Sequence, residues 1–194
     1  DIRDYYHKWY RPDLQGIVIV GDIDVDAVEA KLKAIFADVQ KAVNPAERVY
    51  YPVADNKEPI VAIGTDKEVD DPSIEVYFKQ DATPDSEKNN VGYLASQYMT
   101  SMITSMLNAR LSELTQSANP PFNRAYSSYG NFFVAKTKEA LNLSASSKAN
   151  GIEEALKALL QEAERARRFG FTESEYARAR ANYLQRLESA YNER

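Results

Sequence analysis

Cysteine is absent from all 194 residues. That removes thiol nucleophiles, disulfides and thiolate metal ligands, and it leaves the redox compartment open. Histidine occurs once, as His7, whereas the usual zinc sites draw three or four ligands mainly from histidine and thiolate. Glycine is scarce, with seven scattered copies, so no Gly-rich phosphate loop can be assembled. Positive charge is not in excess either. The 24 basic residues face 29 acidic ones for a net charge of −5, which argues against a nucleic-acid partner. No apolar run approaches the roughly 20 residues that a membrane span requires.

What is present reads as an ordinary folded protein, 44% apolar and 27% charged. Near the start, "DIRDYYHKWY" has helical content and is stopped by "RPD", because proline disfavours helical geometry in the residue before it. "GIVIVGDI" is a continuous β-branched run of the kind found in strands buried on both faces. Asp26 with Glu29 fits a capping box for the helix that follows, which carries Val28, Leu32, Ile35 and Phe36 on one face. "NPAERVYYPVADNKEP" is the best boundary between structural units.

"IVAIGTD" and "SIEVYFKQD" then read as strands. Thr83 and Pro84 open a long helix whose apolar positions from Val91 to Leu114 keep the 3.6-residue period, and "SANPPF" ends it. "NRAYSSYG" and "NFFVAKT", joined at Gly130–Asn131, and "EALNLSASS" complete the strands. Leu141, Leu143 and Ala145 alternate with polar residues, so one face of this last strand should be wet. Two amphipathic helices close the chain, the second capped by Thr172 with Glu175. The expected class is α+β, a mainly antiparallel sheet of about four to five strands with helices packed on one face.

Catalytic chemistry is not visible in this pattern. Asp22, Asp24 and Asp26 imitate the start of a calcium loop. The loop requires glycine sixth and glutamate twelfth, and Ala27 and Lys33 stand there instead. Helix capping explains the aspartates. Ser127, Ser128 and the serines of "SASS" lack a nucleophile-elbow setting. The three methionines lie on the long helix and read as core. The late arginines, from Arg165 to Arg180, alternate with glutamates and read as a solvated helix face. His7, between aromatic neighbours, reads as a partly buried packing residue.

The stretch Tyr5–Phe36, "YYHKWYRPDLQGIVIVGDIDVDAVEAKLKAIF", resembles a signature of the pitrilysin/insulinase family of zinc metallopeptidases. The resemblance rests on Tyr6, Trp9, Tyr10, Arg11, Pro12, Asp13, Gly21, Asp22 and Asp24. Looser matches continue through "DPSIEVYFK", "MLNARLSEL", "AYSSYG" and "FTESEYARARANYLQRL". The family's inverted zinc motif, H-x-x-E-H, is absent. Beginning at Asp1 without methionine and closing on "SAYNER", the chain therefore looks like a piece of a longer polypeptide, the non-catalytic segment that follows the zinc-binding part.

On this resemblance, residues 1–44 would be the C-terminal strand–helix piece of the preceding catalytic domain, and residues 45–194 an inactive domain of pitrilysin type. The resemblance implies a segment lining the peptide-binding chamber of a zinc endopeptidase. The alternative is a segment of a metal-free homologue acting as a peptide-binding partner or scaffold subunit. No cofactor is expected in this chain and zinc is expected in the parent. The implied partners are a peptide or unfolded protein substrate and the remaining domains of the same polypeptide. The residues leave the compartment unknown, and the resemblance points to a bacterial periplasm or envelope. Some relatives carry a catalysis-assisting Arg–Tyr pair in their opposite half. Thr115 stands where that arginine would be, so the pair does not transfer. Arg124, Tyr126 and Tyr129 are the candidate peptide contacts, with strand packing as the other reading of each.

Overall fold

The computed structural model describes residues 1–69 and 71–193. Two compact units divide the chain, Asp1–Val49 and Tyr50–Arg194. In the first, helix α1 (Ile2–Trp9) is capped by Asp1, and a short 3₁₀ turn, Pro12–Leu14, follows it. Helix α2 (Val25–Ile35) is capped by Asp24, whose carboxylate accepts from the Ala27 N–H at 3.0 Å. The cap therefore sits two residues before the expected Asp26, which lies in the first turn, while Glu29 pairs with Lys33 instead of closing a capping box.

Arg11 gives the "YRPD" stretch its physical meaning. Its buried guanidinium forks onto Asp13 (3.1 and 3.0 Å) and also donates to the carbonyls of Lys8 (3.2 Å) and Ala46 (2.9 Å). One side chain thus fastens the helix end, the turn and a segment 35 residues away. A planar group with five donors suits that work as an ammonium does not.

In the second unit, strands β1 (Ser73–Asp81), β2 (Arg124–Asn131) and β3 (Lys138–Ser146) form one antiparallel sheet in the order β1-β3-β2. Helices α3 (Val91–Thr115), α4 (Ile152–Phe169) and α5 (Glu173–Asn192) complete it. Leu107 and Leu111 of α3, Ala155 and Leu159 of α4, and Phe122 meet Leu143 and Ala145 of β3, with Ile74 and Val76 of β1 at the rim. Truncating one such leucine to alanine costs about 2–5 kcal/mol. Met102 and Met106 pack with Ala179 of α5, as core methionines do, whereas Met99 is exposed.

Among the described residues three strands form where about four to five were expected, and the differences have causes. Neither "GIVIVGDI" nor "IVAIGTD" finds a partner ladder, and a strand without one cannot satisfy its backbone. The side chains of Ile17, Val18, Ile19 and Val20 remain between 46% and 91% exposed. The break foreseen at Gly130–Asn131 does not occur. Strand β2 runs through it, and "FFVAKT" is the turn, closed by Phe132 N–H to Lys138 O at 2.9 Å and bent at Phe133, whose φ is 52°. The long helix begins at Asn90 rather than Thr83, because the Asn90 side chain accepts from the Tyr93 N–H at 2.9 Å, and a 3₁₀ turn at Asp85–Glu87 intervenes. At α5 the Thr172–Glu175 capping box forms as expected.

Candidate peptide-binding face

Strand register sorts the sheet residues onto two sides. Ile74, Val76, Leu143 and Ala145 pack under the helices. Alternation then places Ser73, Glu75, Tyr77, Lys79 and Asp81 of β1 on the opposite side, with Lys138, Ala140, Asn142, Ser144 and Ser146 of β3. Arg124, Tyr126, Ser128 and Gly130 of β2 share that open face. Arg124 and Tyr126 are both exposed there. Tyr129 belongs to the helix side, in register with Leu141. Its hydroxyl donates to Glu139 at 2.7 Å and accepts from Gln80, and burial together with the Glu139 bond pushes its pKa up to about 12. The three candidates are therefore not one cluster: two share the open face and the third lies across the sheet.

Groups that the sequence did not single out fill the rest of the open face. Tyr77, Phe132 and Phe133 form a three-ring cluster with centroids 4.7–5.4 Å apart, and Lys79 lies over Phe132 at 5.6 Å. Tyr77 donates its hydroxyl to Glu75, and burial with that bond raises its pKa to about 12. Lys138 is buried, with its ammonium between Asp55 (2.7 Å) and Asp81 (2.6 Å). These carboxylates hold the Lys138 pKa above the usual lysine range, and the same bond lowers that of Asp55. The alternation of β1 was the available signal. Its odd positions carry Glu75, Tyr77 and Lys79, too polar for a strand buried on both sides.

The two sheet edges differ. The hydrogen-bonded pair Phe132–Lys138 fixes the phase of the β2–β3 ladder, so Ser127 directs its N–H and C=O away from β3. Asn108 of α3 meets both, donating to Ser127 O at 3.0 Å and accepting from Ser127 N–H at 2.5 Å. On β1, the bonds Ala82 N–H to Thr137 O and Ser147 N–H to Pro72 O set the phase that turns odd residues outward. Among the described residues no side chain is seen to plug that edge in the same way.

Among the described residues no group of three or more His, Cys, Asp or Glu side chains is placed to bind a metal ion. His7 is exposed rather than partly buried, because α1 buries none of its residues, and it sits edge-on to Tyr6 at 5.7 Å.

Residues 1–183 match the family described as the peptidase M16 inactive domain. The chain belongs to that family. Two curated relatives agree. A probable zinc protease PqqL of Haemophilus influenzae is 29% identical over 117 residues, covering 58% of this chain and 12% of its own length. A zinc protease PQQL-like protein of Arabidopsis thaliana is 25% identical over 194 residues, all of this chain and 17% of its own length. The chain thus spans less than a fifth of either relative. The solved first half of the periplasmic protease PqqL from Escherichia coli shares the fold, with a TM-score of 0.74 at 22% identity over 98% of this chain and 40% of that one. The M16 inactive domain is therefore an α+β unit whose sheet is covered by helices on one face, as the sequence pattern and the pitrilysin/insulinase resemblance led us to expect.

Proposed function

We propose that this chain is the non-catalytic segment of a PqqL-like zinc endopeptidase and that its open sheet face forms part of the wall of the peptide-binding chamber. The observation that carries the reading is a helix-free face presenting Arg124, Tyr126 and an aromatic cluster, in a member of the M16 inactive-domain family. Exposed tyrosine and arginine suit peptide recognition, since each offers apolar area together with a directed polar group. In the parent, zinc would be held outside this chain and would activate water against a peptide carbonyl. Residues 1–44 would complete the sheet of the preceding domain, which accounts for the unpaired run Ile17–Val20. A periplasmic location is the reading that the PqqL similarity supports.

The test compares the full-length parent with this chain for bound zinc and for chelator-sensitive cleavage of an unfolded protein. Zinc and cleavage in the parent with neither in the chain is the expected outcome. A parent without zinc would overturn the endopeptidase reading and make the protein a metal-free peptide-binding partner. Cleavage by the chain alone would overturn its non-catalytic assignment.

A further inference from the structure

A piece of the chain outside the helices and strands already lies against the open face. Residues 51–55, "YPVAD", belong to no helix or strand, yet three side chains from the far end of the sheet grip them. The Thr137 hydroxyl donates to Tyr51 O at 3.3 Å, the Lys79 ammonium donates to Ala54 O at 2.9 Å, and the Lys138 ammonium donates to the Asp55 carboxylate at 2.7 Å. Two of these contacts read main-chain carbonyls and the third reads one carboxylate. All three groups on the sheet are donors.

We propose that residues 51–55 are a displaceable internal occupant of a site for an extended peptide carrying an acidic side chain, with Thr137 and Lys79 receiving its carbonyls and Lys138 its carboxylate. This rests on the reading of the open face as peptide-binding and specifies what one end of it selects. Charge decides the class of ligand. Lys79 and Lys138 bring two positive charges to the strap contacts and Asp81 brings one negative, so lifting Asp55 away leaves these three groups with one net positive charge. Asp55 and Asp81 are 76% and 88% exposed, so an incoming carboxylate can reach the ammonium by the route that Asp55 uses. A buried ammonium strongly favours such exchange of one carboxylate for another over loss of its partner.

The experiment measures fluorescence anisotropy of two labelled peptides against the 194-residue chain and its Asp55→Asn variant. One peptide copies the strap, Tyr-Pro-Val-Ala-Asp with flanking Gly-Ser, and the other carries Asn in place of its Asp. Asp55 is exposed and Lys138 keeps Asp81, so the variant folds, and far-UV circular dichroism verifies it. Both peptides should bind Asp55→Asn about tenfold more tightly than they bind the parent chain, because loosening the strap frees the same site for each, and the variant should hold the strap peptide about tenfold more tightly than the Asn peptide. Adding Lys138→Gln to the variant should abolish the preference for Asp. A second readout uses the absence of cysteine: Ala140→Cys places a single thiol on this buried stretch of the open face, and Asp55→Asn should speed its reaction with a soluble disulfide reagent. Equal affinity of the variant for the two peptides, or no gain for the strap peptide, overturns the proposal. If an unrelated neutral peptide then still binds both chains, the open-face reading stands without it. If no peptide binds at all, both fall.

Discussion

Glu175→Gln tests how the second unit is held together. Glu175 closes the cap of α5 by accepting from Thr172 N–H at 2.7 Å, and it receives the buried Arg110 guanidinium of α3 at 2.5 and 2.9 Å. Arg110 also donates to Gly170 O at 3.0 Å and lies over the Phe171 ring at 4.5 Å. The Arg110 bond is the main reason the Glu175 carboxyl falls from its ordinary 4.5 to about 2. At 1.36 kcal/mol for each tenfold change in proton affinity, that fall corresponds to about 3 kcal/mol. Glutamine keeps the size and part of the cap but removes the charge, leaving Arg110 buried and unpaired. With about 1–3 kcal/mol/M as the urea dependence of unfolding, the midpoint should drop by roughly 1–3 M at pH 7.

The pH dependence follows from the sign of the shift. A depressed carboxyl pKa contributes stability above about 4.5 and loses it as pH falls toward 2. The gap between native chain and variant should therefore narrow by about 2 kcal/mol on going from pH 7 to pH 3. Far-UV circular dichroism is the assay, because the only tryptophan, Trp9, belongs to the first unit. A loss below about 1 kcal/mol at pH 7, or one undiminished at pH 3, would refute the reasoning.

Other perturbations separate the remaining contacts. Asn108→Ala leaves the Ser127 N–H and C=O without their partner and should cost about 1–3 kcal/mol, with faster hydrogen exchange at the Ser127 amide. Arg11→Ala removes the clamp on Asp13, Lys8 O and Ala46 O, so it should red-shift Trp9 emission and increase its quenching by acrylamide. The far-UV transition of the second unit should stay unchanged, since every partner of Arg11 lies in the first.

Local chemistry was legible wherever a few neighbouring residues decide the outcome. Thr172 with Glu175 made its capping box because both partners lie within one turn. The α3 period showed its buried face only in part, since Val91, Leu94, Met99 and Ile103 stay exposed. The alternation of β3 showed which side packs against helices, while its other side, expected to be wet, buries Lys138, Ala140 and Ser144. Cap choice was less legible where several candidates compete. Asp24 and Asp26 are chemically identical, and the chain enters the helix at the first of them. The chemistry of the open face stayed hidden for another reason. Lys138 owes its burial to Asp55 and Asp81, 83 and 57 residues away, and no spacing rule joins them.

The two runs that failed to become strands mark the sharpest limit. A helix closes its hydrogen bonds within one segment, so α3 is decided by its own residues and their caps. A strand is a relation between segments, and its N–H and C=O groups are satisfied only across a ladder. "GIVIVGDI" and "IVAIGTD" have the β-branched content of strands, yet the sheet made here has no pairing for either. Leaving four consecutive apolar side chains, Ile17–Val20, in water forgoes the roughly 1.5–3 kcal/mol that each would gain on full burial. A polypeptide that supplies the missing ladder would recover that free energy, and amide exchange is the measurement that shows it. Residues 17–20 should exchange freely in this chain and be protected in the full-length parent. Equal exchange in both would mean that the run is not a strand in either setting, and residues 1–44 would then no longer read as the closing piece of a neighbouring domain.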